Sequence, residues 1–250
     1  MIEVKNAKKK YSKEVQIGPL TINIPEAGIT SLVGPNGAGK STMLLMIGRL
    51  LGLDEGQILV ADLDTVSANS EALAKVLAVL RQENLFVTRL TVRQLVGFGR
   101  FPYTKGRLNK VDEKIISKYI DFLGLTDLEN RYLDELSGGQ RQRAYVAMVL
   151  CQDTDYLLLD EPLNNLDVSR SVQMLTHLRH AADEFGKTIV MVLHDINFAA
   201  RYSDRICCMK EGRIVEFGTP AEVMQGEKLS KIFETKIEII QGPYGPIAIY

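Results

Sequence analysis

Eight consecutive residues, Gly34–Ser41, read GPNGAGKS, and the residue types suit one task, which is holding phosphate. The glycines let backbone N–H groups curl around phosphate oxygens. Before the run comes Ile29–Val33, a short apolar stretch of the kind that forms a strand buried on both faces. After it comes Thr42–Leu51, apolar and unbroken until Gly52, which reads as a helix. This strand–loop–helix context separates the run from an ordinary Gly-rich turn. On this reading Gly34, Pro35, Asn36, Gly37, Ala38, Gly39 and Thr42 build a nucleotide cradle at a helix N-terminus, whose partial positive charge favours anions. Lys40 would hold the β- and γ-phosphates, and Ser41 would ligate Mg²⁺ through its hydroxyl.

Such a loop alone defines only a P-loop nucleotide-binding class. A second element is the apolar segment Tyr156–Asp160, followed by Glu161. An apolar strand ending in a carboxylate is the Walker B pattern, in which Asp160 would orient Mg²⁺ through water. Glu161 follows at the strand end, where it could polarise an attacking water as general base. In isolation the two carboxylates would fit equally well as caps of the next helix.

The third element is LSGGQRQR at Leu136–Arg143. Ser137 can cap the following helix, and Gly138 and Gly139, with Gln140 after them, let the backbone approach an anion closely. This makes a second phosphate-binding helix terminus in one chain, whereas one ATP needs only one. The economical explanation is that the second contacts ATP held by another subunit.

Around these groups the chain reads as α/β. Ile2 and Val4 alternate with polar residues, and Val15–Ile24 repeats the pattern through Ile17, Leu20, Ile22 and Ile24, so an antiparallel β portion is expected near the N-terminus. Residues Pro25–Gly28 form a turn, Ile58–Ala61 another strand, and Val76–Leu80 a strand leading to Gln82. From about Asn84 to Leu150 the character becomes helical: Val92–Phe98, Asp112–Leu123 and Gly138–Leu150 all read as helices, with Lys114, Ile115, Ile116, Tyr119, Ile120 and Leu123 forming one face of the second. The block looks like an inserted helical lobe. Beyond it come Tyr156–Leu159 as a buried strand, Val168–Phe185 as a helix and Lys187–Leu193 as a β-branched strand. Next follow a hairpin of Arg205–Lys210 with Arg213–Phe217, and a helix opened by Thr219 and Pro220. The tail Ile237–Tyr250 reads as extended, without a large regulatory domain.

Composition bounds the rest. A chain of 250 residues with 46% hydrophobic and 24% charged side chains can bury a core, and its net charge of −1 provides no global basic field for nucleic acid. Lys8, Lys9 and Lys10 form a local basic run, expected to be a solvated turn. The longest apolar run, Ala144–Cys151, falls far short of the roughly 18–20 residues that span a bilayer. The N-terminus lacks the apolar middle of a signal peptide, so the chain is expected in the cytoplasm, with any membrane role reached through a partner. The three cysteines lack a CxxC pair; Cys207 and Cys208 would face opposite sides of a strand as reduced thiols.

Taken together, LSGGQ, GPNGAGKS and LLLDEP resemble the ABC ATPase family, over essentially the whole chain and in the family's order. The resemblance implies a P-loop NTPase (RecA-like) core, 1–83 and 151–250, with an inserted α-helical subdomain, 84–150, in a single ABC domain. It implies ATP and Mg²⁺ as cofactors and a head-to-tail homodimer in which each LSGGQ completes the other's ATP site. Gln82 matches the Q-loop glutamine that senses Mg²⁺ and the attacking water. Leu166 and Asp167 in PLNNLD match the D-loop that crosses the dimer interface. His194 matches the switch histidine at the γ-phosphate. Tyr11 lies where the family places an aromatic residue that stacks on adenine.

The segment Leu90–Leu108, above all GRFPY at Gly99–Tyr103, resembles ATPases of the ferric-siderophore, haem and cobalamin import family, the ferric-siderophore branch most closely. That resemblance implies peripheral attachment to the cytoplasmic face of the membrane through integral permease subunits, and an extracytoplasmic substrate-binding protein acting indirectly. The aromatic and Arg side chains of GRFPY suit a groove near Gln82–Tyr103 for a short helix of the permease, with Arg100 in the contact. An importer of haem, cobalamin or another chelate, or an exporter, would share the main motifs. A soluble ABC ATPase acting on ribosomes or DNA is disfavoured by the single LSGGQ and the lack of a heptad array.

Overall fold

The structure is a computed structural model, and it describes residues 1–12, 14–82 and 89–250. The chain opens with β1 (Ile2–Lys10), β2 (Gln16–Ile24), β3 (Gly28–Val33), α1 (Lys40–Ile47), β4 (Glu55–Val60), β5 (Leu63–Asp64), α2 (Ser70–Ala74) and β6 (Leu77–Leu80). A helical stretch follows, with α3 (Val92–Phe98), α4 (Phe101–Thr104), α5 (Lys110–Phe122) and α6 (Gly138–Cys151). Then come β7 (Tyr156–Leu159), α7 (Val168–Phe185), β8 (Thr188–Val192), α8 (Ile196–Tyr202), β9 (Arg205–Lys210) and β10 (Arg213–Gly218). The last elements are α9 (Pro220–Val223), α10 (Gly226–Phe233), β11 (Glu238–Gly242) and β12 (Gly245–Ile249).

A central sheet runs in the order β10-β9-β3-β8-β7-β6, parallel from β9 to β6 with β10 antiparallel at the edge. Strands β3, β7 and β8 are buried almost throughout because both faces of this sheet are covered. One face, through Leu32, Leu158, Val190 and Cys207, packs on α1 and on an antiparallel sheet of order β2-β1-β4-β5. The other face, through Val33, Leu159, Met191 and Cys208, packs on α3 and α5–α8 and on the C-terminal segment. Cys207 and Cys208 thus lie on opposite faces, as the strand period requires, and all three thiols are free and buried.

Helices α3, α5 and α6 pack on one another. Thr91 with Gln94, Asn109 with Asp112 and Ser137 with Gln140 close capping boxes at their N-termini, which is why each starts where it does. Arg93 ties α3 to Glu113 on α5 and to Glu129 at 2.6 and 2.8 Å. The expected start of the helical lobe, at Asn84, lies outside the described residues.

Several expectations are corrected. Lys8–Lys10 end β1 rather than forming a turn, and their ammonium groups pair with Asp54, just before β4, and with Glu55, its first residue. Lys114 is exposed, so the buried face of α5 is Asp112, Ile116, Tyr119 and Ile120. Helix α1 stops at Ile47, before Gly48, rather than reaching Leu51. The tail is extended as expected, and it is paired with itself as a hairpin, with Ile240 opposite Ile247 and Ile239 opposite Ala248. Among the described residues no helix is long and apolar enough to cross a membrane.

Candidate functional site

The phosphate loop owes its path to its glycines. Gly34 adopts φ 144° and runs so close to β9 that a Cβ there would fall 2.0 Å from the Met209 carbonyl oxygen. Gly39, at φ 96°, is the N-cap of α1, and its missing side chain makes room for Ile17. Lys40 opens the helix and is buried; its Nζ donates to the carbonyl oxygens of Gly34 and Pro35, both at 2.9 Å. Burial pulls the Lys40 ammonium below its usual range, and the nearby Glu161 and Asp160 carboxylates oppose that shift. A cation desolvated in this way gains strongly from an incoming anion.

Ser41 Oγ donates to Asp160 Oδ1 at 2.8 Å, joining the loop to the end of β7. Burial raises the Asp160 carboxyl above the usual range, while the Ser41 hydrogen bond pulls it down. Glu161 follows with φ 52°, an uncommon backbone for a residue with a long side chain. Its carboxylate is gripped from two directions: Gln82 Nε2 donates to Oε2 at 2.8 Å, and His194 Nε2 lies 2.8 Å from Oε1. Gln82 follows β6, Glu161 follows β7 and His194 follows β8, so three adjacent parallel strands deliver the three groups at their carboxyl ends. That edge is where open α/β sheets place their ligands.

A cleft of about 260 Å³ opens over the loop, lined by Tyr11, Val15, Ile17, residues 36–42, Glu161 and His194. Tyr11 is half exposed, and its hydroxyl lies 3.0 Å from Thr42 Oγ1. Val15 and Ile17 line the cleft although the sequence reading names neither; the available signal is their place just after Tyr11, where β2 begins. Among the described residues no group of three or more His, Cys, Asp or Glu side chains gathers as a complete metal site. The Ser41 hydroxyl and the Asp160 carboxylate are a partial, all-oxygen set, and Mg²⁺ is a hard cation that completes its shell from phosphate and water.

Ser137, Gly138, Gly139, Gln140 and Asp167 do not line this cleft. Ser137 caps α6: its Oγ accepts from Gln140 N at 3.3 Å, and Gln140 Oε1 accepts from Ser137 N at 2.9 Å. Asp167 caps α7, accepting from Arg170 N at 2.9 Å. The two segments abut, because a Cβ on Gly139 would meet Arg170 and Leu166. Gln142 Nε2 donates to the Pro162 carbonyl at 3.0 Å, fixing α6 to the chain just past Glu161.

GRFPY behaves differently from expectation. Arg100 is only 6% exposed; its Nε donates to Asp112 Oδ1 at 3.0 Å and its Nη1 to the Cys151 carbonyl at 3.1 Å. A guanidinium buried on a carboxylate and a helix-end carbonyl holds α4, α5 and α6 together, and it is not free to contact a partner. Phe98, Phe101, Tyr103, Leu108 and Val111, near it in the chain, are exposed apolar residues. Residues 83–88 of the expected groove Gln82–Tyr103 lie outside the described residues.

A glycine-built phosphate loop, a carboxylate held at three strand ends, and a second capped helix terminus set apart from them define one class of protein. The chain belongs to the ABC transporter family, whose model matches residues 17–164, and within it the chain is an ATPase cassette with the α/β P-loop NTPase fold. Among its relatives, the petrobactin import ATP-binding protein FatE of Bacillus anthracis is 74% identical over 250 residues, 100% of each chain. The petrobactin import ATP-binding protein YclP of Bacillus subtilis (strain 168) is 46% identical over 239 residues, 96% of this chain and 95% of that one. Among solved structures, the dimeric ATP-binding cassette MJ0796 in a post-hydrolysis state bound to ADP and Pi matches with a TM-score of 0.78 at 30% identity, over 88% of this chain and 99% of that one.

Proposed function

We propose that this chain binds and hydrolyses ATP to power an importer of iron–siderophore complexes, working as a homodimer beneath integral permease subunits on the cytoplasmic face of the membrane. The observation that carries the reading is the Glu161 carboxylate gripped by Gln82 and His194 beside the phosphate loop. The cargo class is supported by the relatives, which are named for petrobactin import. In this reading residues 1–83 and 151–250 form the catalytic core and residues 84–150 the helical subdomain of one cassette.

Each side chain then has a task. Backbone N–H groups of Gly34–Thr42 and the Lys40 ammonium bind phosphate oxygens. Tyr11 offers its ring to adenine. Ser41 and Asp160, with Gln82 beside them, would hold Mg²⁺, which supplies positive charge against the phosphate oxygens when bound. Glu161 accepts the proton of the attacking water, while Gln82 and His194 hold its two oxygens in line. Ser137, Gly138, Gly139 and Gln140 close the ATP site of the partner cassette, and Asp167 lies at the interface between the two. The exposed Phe101, Tyr103, Leu108 and Val111 offer an apolar surface to a permease helix, with the substrate-binding protein acting on the far side.

Replacing Glu161 by Gln tests the chemistry. Turnover should fall by about 10²–10⁴-fold while ATP still drives dimer formation on a sizing column. Hydrolysis near the parent rate would reject Glu161 as the base. The cargo is tested by whether the chain restores ferric petrobactin uptake to cells lacking their own import ATPase. No uptake from a folded, ATP-hydrolysing chain would count against that cargo.

A further inference from the structure

Three residues past His194, the amide of Asn197 uses both of its ends on one residue of the distant hairpin. Asn197 Nδ2 donates to the Ala248 carbonyl at 3.1 Å, and Ala248 N donates to Asn197 Oδ1 at 2.7 Å. The pair copies the two-bond exchange between neighbouring antiparallel strands, so α8 holds β12 by its edge. A second grip lies about one helical turn further along α8, where the Arg201 guanidinium stacks 4.3 Å from the Tyr244 ring centroid at the hairpin turn. Ala248 and Ile237 are buried in the same apolar cluster as Ile196, Ala199 and Tyr202 of α8.

These contacts bear on His194. Asp195, the next residue, caps α8 by accepting from Asn197 N and Phe198 N at 2.7 and 3.2 Å. The turn that carries the imidazole is thus fixed by β8 on one side and by the clamped first turn of α8 on the other. His194 also shares a small pocket of about 240 Å³ with Ile196, Phe233, Thr235, Ile237 and Tyr250, so the C-terminal segment borders the histidine as well.

We propose that the hairpin β11–β12, gripped by Asn197, is the positioning device that keeps His194 within hydrogen-bond distance of Glu161. Asn197 is a positioning residue: it does not line the cleft over the phosphate loop, and it acts through the histidine. The inference rests on the reading of Glu161 and His194 as reacting residues given above.

The test is Asn197→Ala in the full chain. Saturating turnover with ATP and Mg²⁺ should fall about 10- to 100-fold, because a misplaced group loses its alignment. The half-saturating ATP concentration should change less than about two-fold, since the loss falls on the transition state rather than on binding. The His194 ring signal in a carbon–proton NMR spectrum, assigned with His194→Ala, should shift and broaden. Arg201→Ala should give the same pattern with a smaller loss. A folded Asn197→Ala protein with parental turnover, or with an unchanged His194 signal, overturns the proposal. A loss confined to nucleotide affinity does so as well. If Asn197→Ala does not fold, Arg201→Ala and Tyr244→Ala decide by the same readouts. Absence of hydrolysis in the parent chain would strike the reading of the site, while the histidine signal would still report on the hairpin.

Discussion

Gly34 shows how little freedom a phosphate loop has at single residues. Its φ of 144° is strained for any L side chain, and a Cβ would overlap the Met209 carbonyl at 2.0 Å. Gly34→Ala should cost about 1–3 kcal/mol from backbone strain alone, with more from pushing the loop off β9. A lower melting temperature and weakened ATP binding, read by calorimetry and nucleotide titration, are the expected outcomes. Gly37→Ala meets open space at φ 76° and should lose clearly less stability; equal losses would show that the contact with β9 is not what constrains Gly34. The cysteines make a second point at this scale. Burial pushes the Cys151 and Cys208 thiols up to about 12, and the Cys207 thiol rises for the same reason. A thiol with a raised pKa stays protonated at pH 8, and the thiol form is not the nucleophile. The native chain should therefore resist alkylation at pH 8 and react at all three cysteines in denaturant; rapid native labelling counted by mass spectrometry would contradict this burial.

Elements depend on pairs that single residues do not reveal. Asp112 divides its carboxylate between two tasks: Oδ1 receives Arg100, and Oδ2 accepts from Asn109 N at the cap of α5. Breaking this buried pair by Arg100→Ala should cost about 3–5 kcal/mol, because it strands a buried carboxylate. The loss should show in urea unfolding, and a matched Asp112→Asn change should recover part of it. A cost below about 1 kcal/mol would mean the pair behaves as an exposed one. The sequence hid this pair for a physical reason: arginine and aspartate are normally exposed, and the partners lie on different helices. By contrast, α3 and α7 were legible to the residue, since Thr91 and Asp167 are strong caps and Gly186 in the left-handed region ends α7. The site was legible for a related reason. Phosphate binding and strand-end carboxylates demand fixed residue types at short spacing, so Lys40, Ser41, Asp160 and Glu161 stand out as candidates, and the structure brings Ser41 onto Asp160 and places Lys40 and Glu161 at one cleft. The grip of Asn197 on Ala248 spans fifty-one positions and uses backbone atoms, which carry no sequence signal. Lys8–Lys10 likewise read as a turn in sequence, because Asp54 and Glu55, which neutralise them, arrive from the distant start of β4.

At the scale of the whole molecule, the proposed binding of phosphate at two helix termini of one chain calls for two chains per functional unit. The N-terminus of α1 belongs to the cleft with Glu161 and His194, while Ser137–Gln140 at the N-terminus of α6 lie outside it. If each LSGGQ serves the partner's ATP, two broken chains can build one working site. Lys40→Ala removes the ammonium proposed to hold phosphate from a chain whose LSGGQ remains intact. Gly138→Asp keeps the phosphate loop but sets a carboxylate at the second cradle, at an exposed position where a Cβ meets nothing closer than 3.9 Å. Each variant alone should lose about 10²-fold or more in turnover, as expected for deleting charge stabilisation of the transferred phosphoryl group. In a mixed dimer the loop of the Gly138→Asp chain meets the LSGGQ of the Lys40→Ala chain, and one site is whole. Mixing the two inactive proteins should therefore recover hydrolysis in proportion to the mixed species. If each chain used its own LSGGQ, both sites in the mixed dimer would carry a lesion and the mixture would stay inactive.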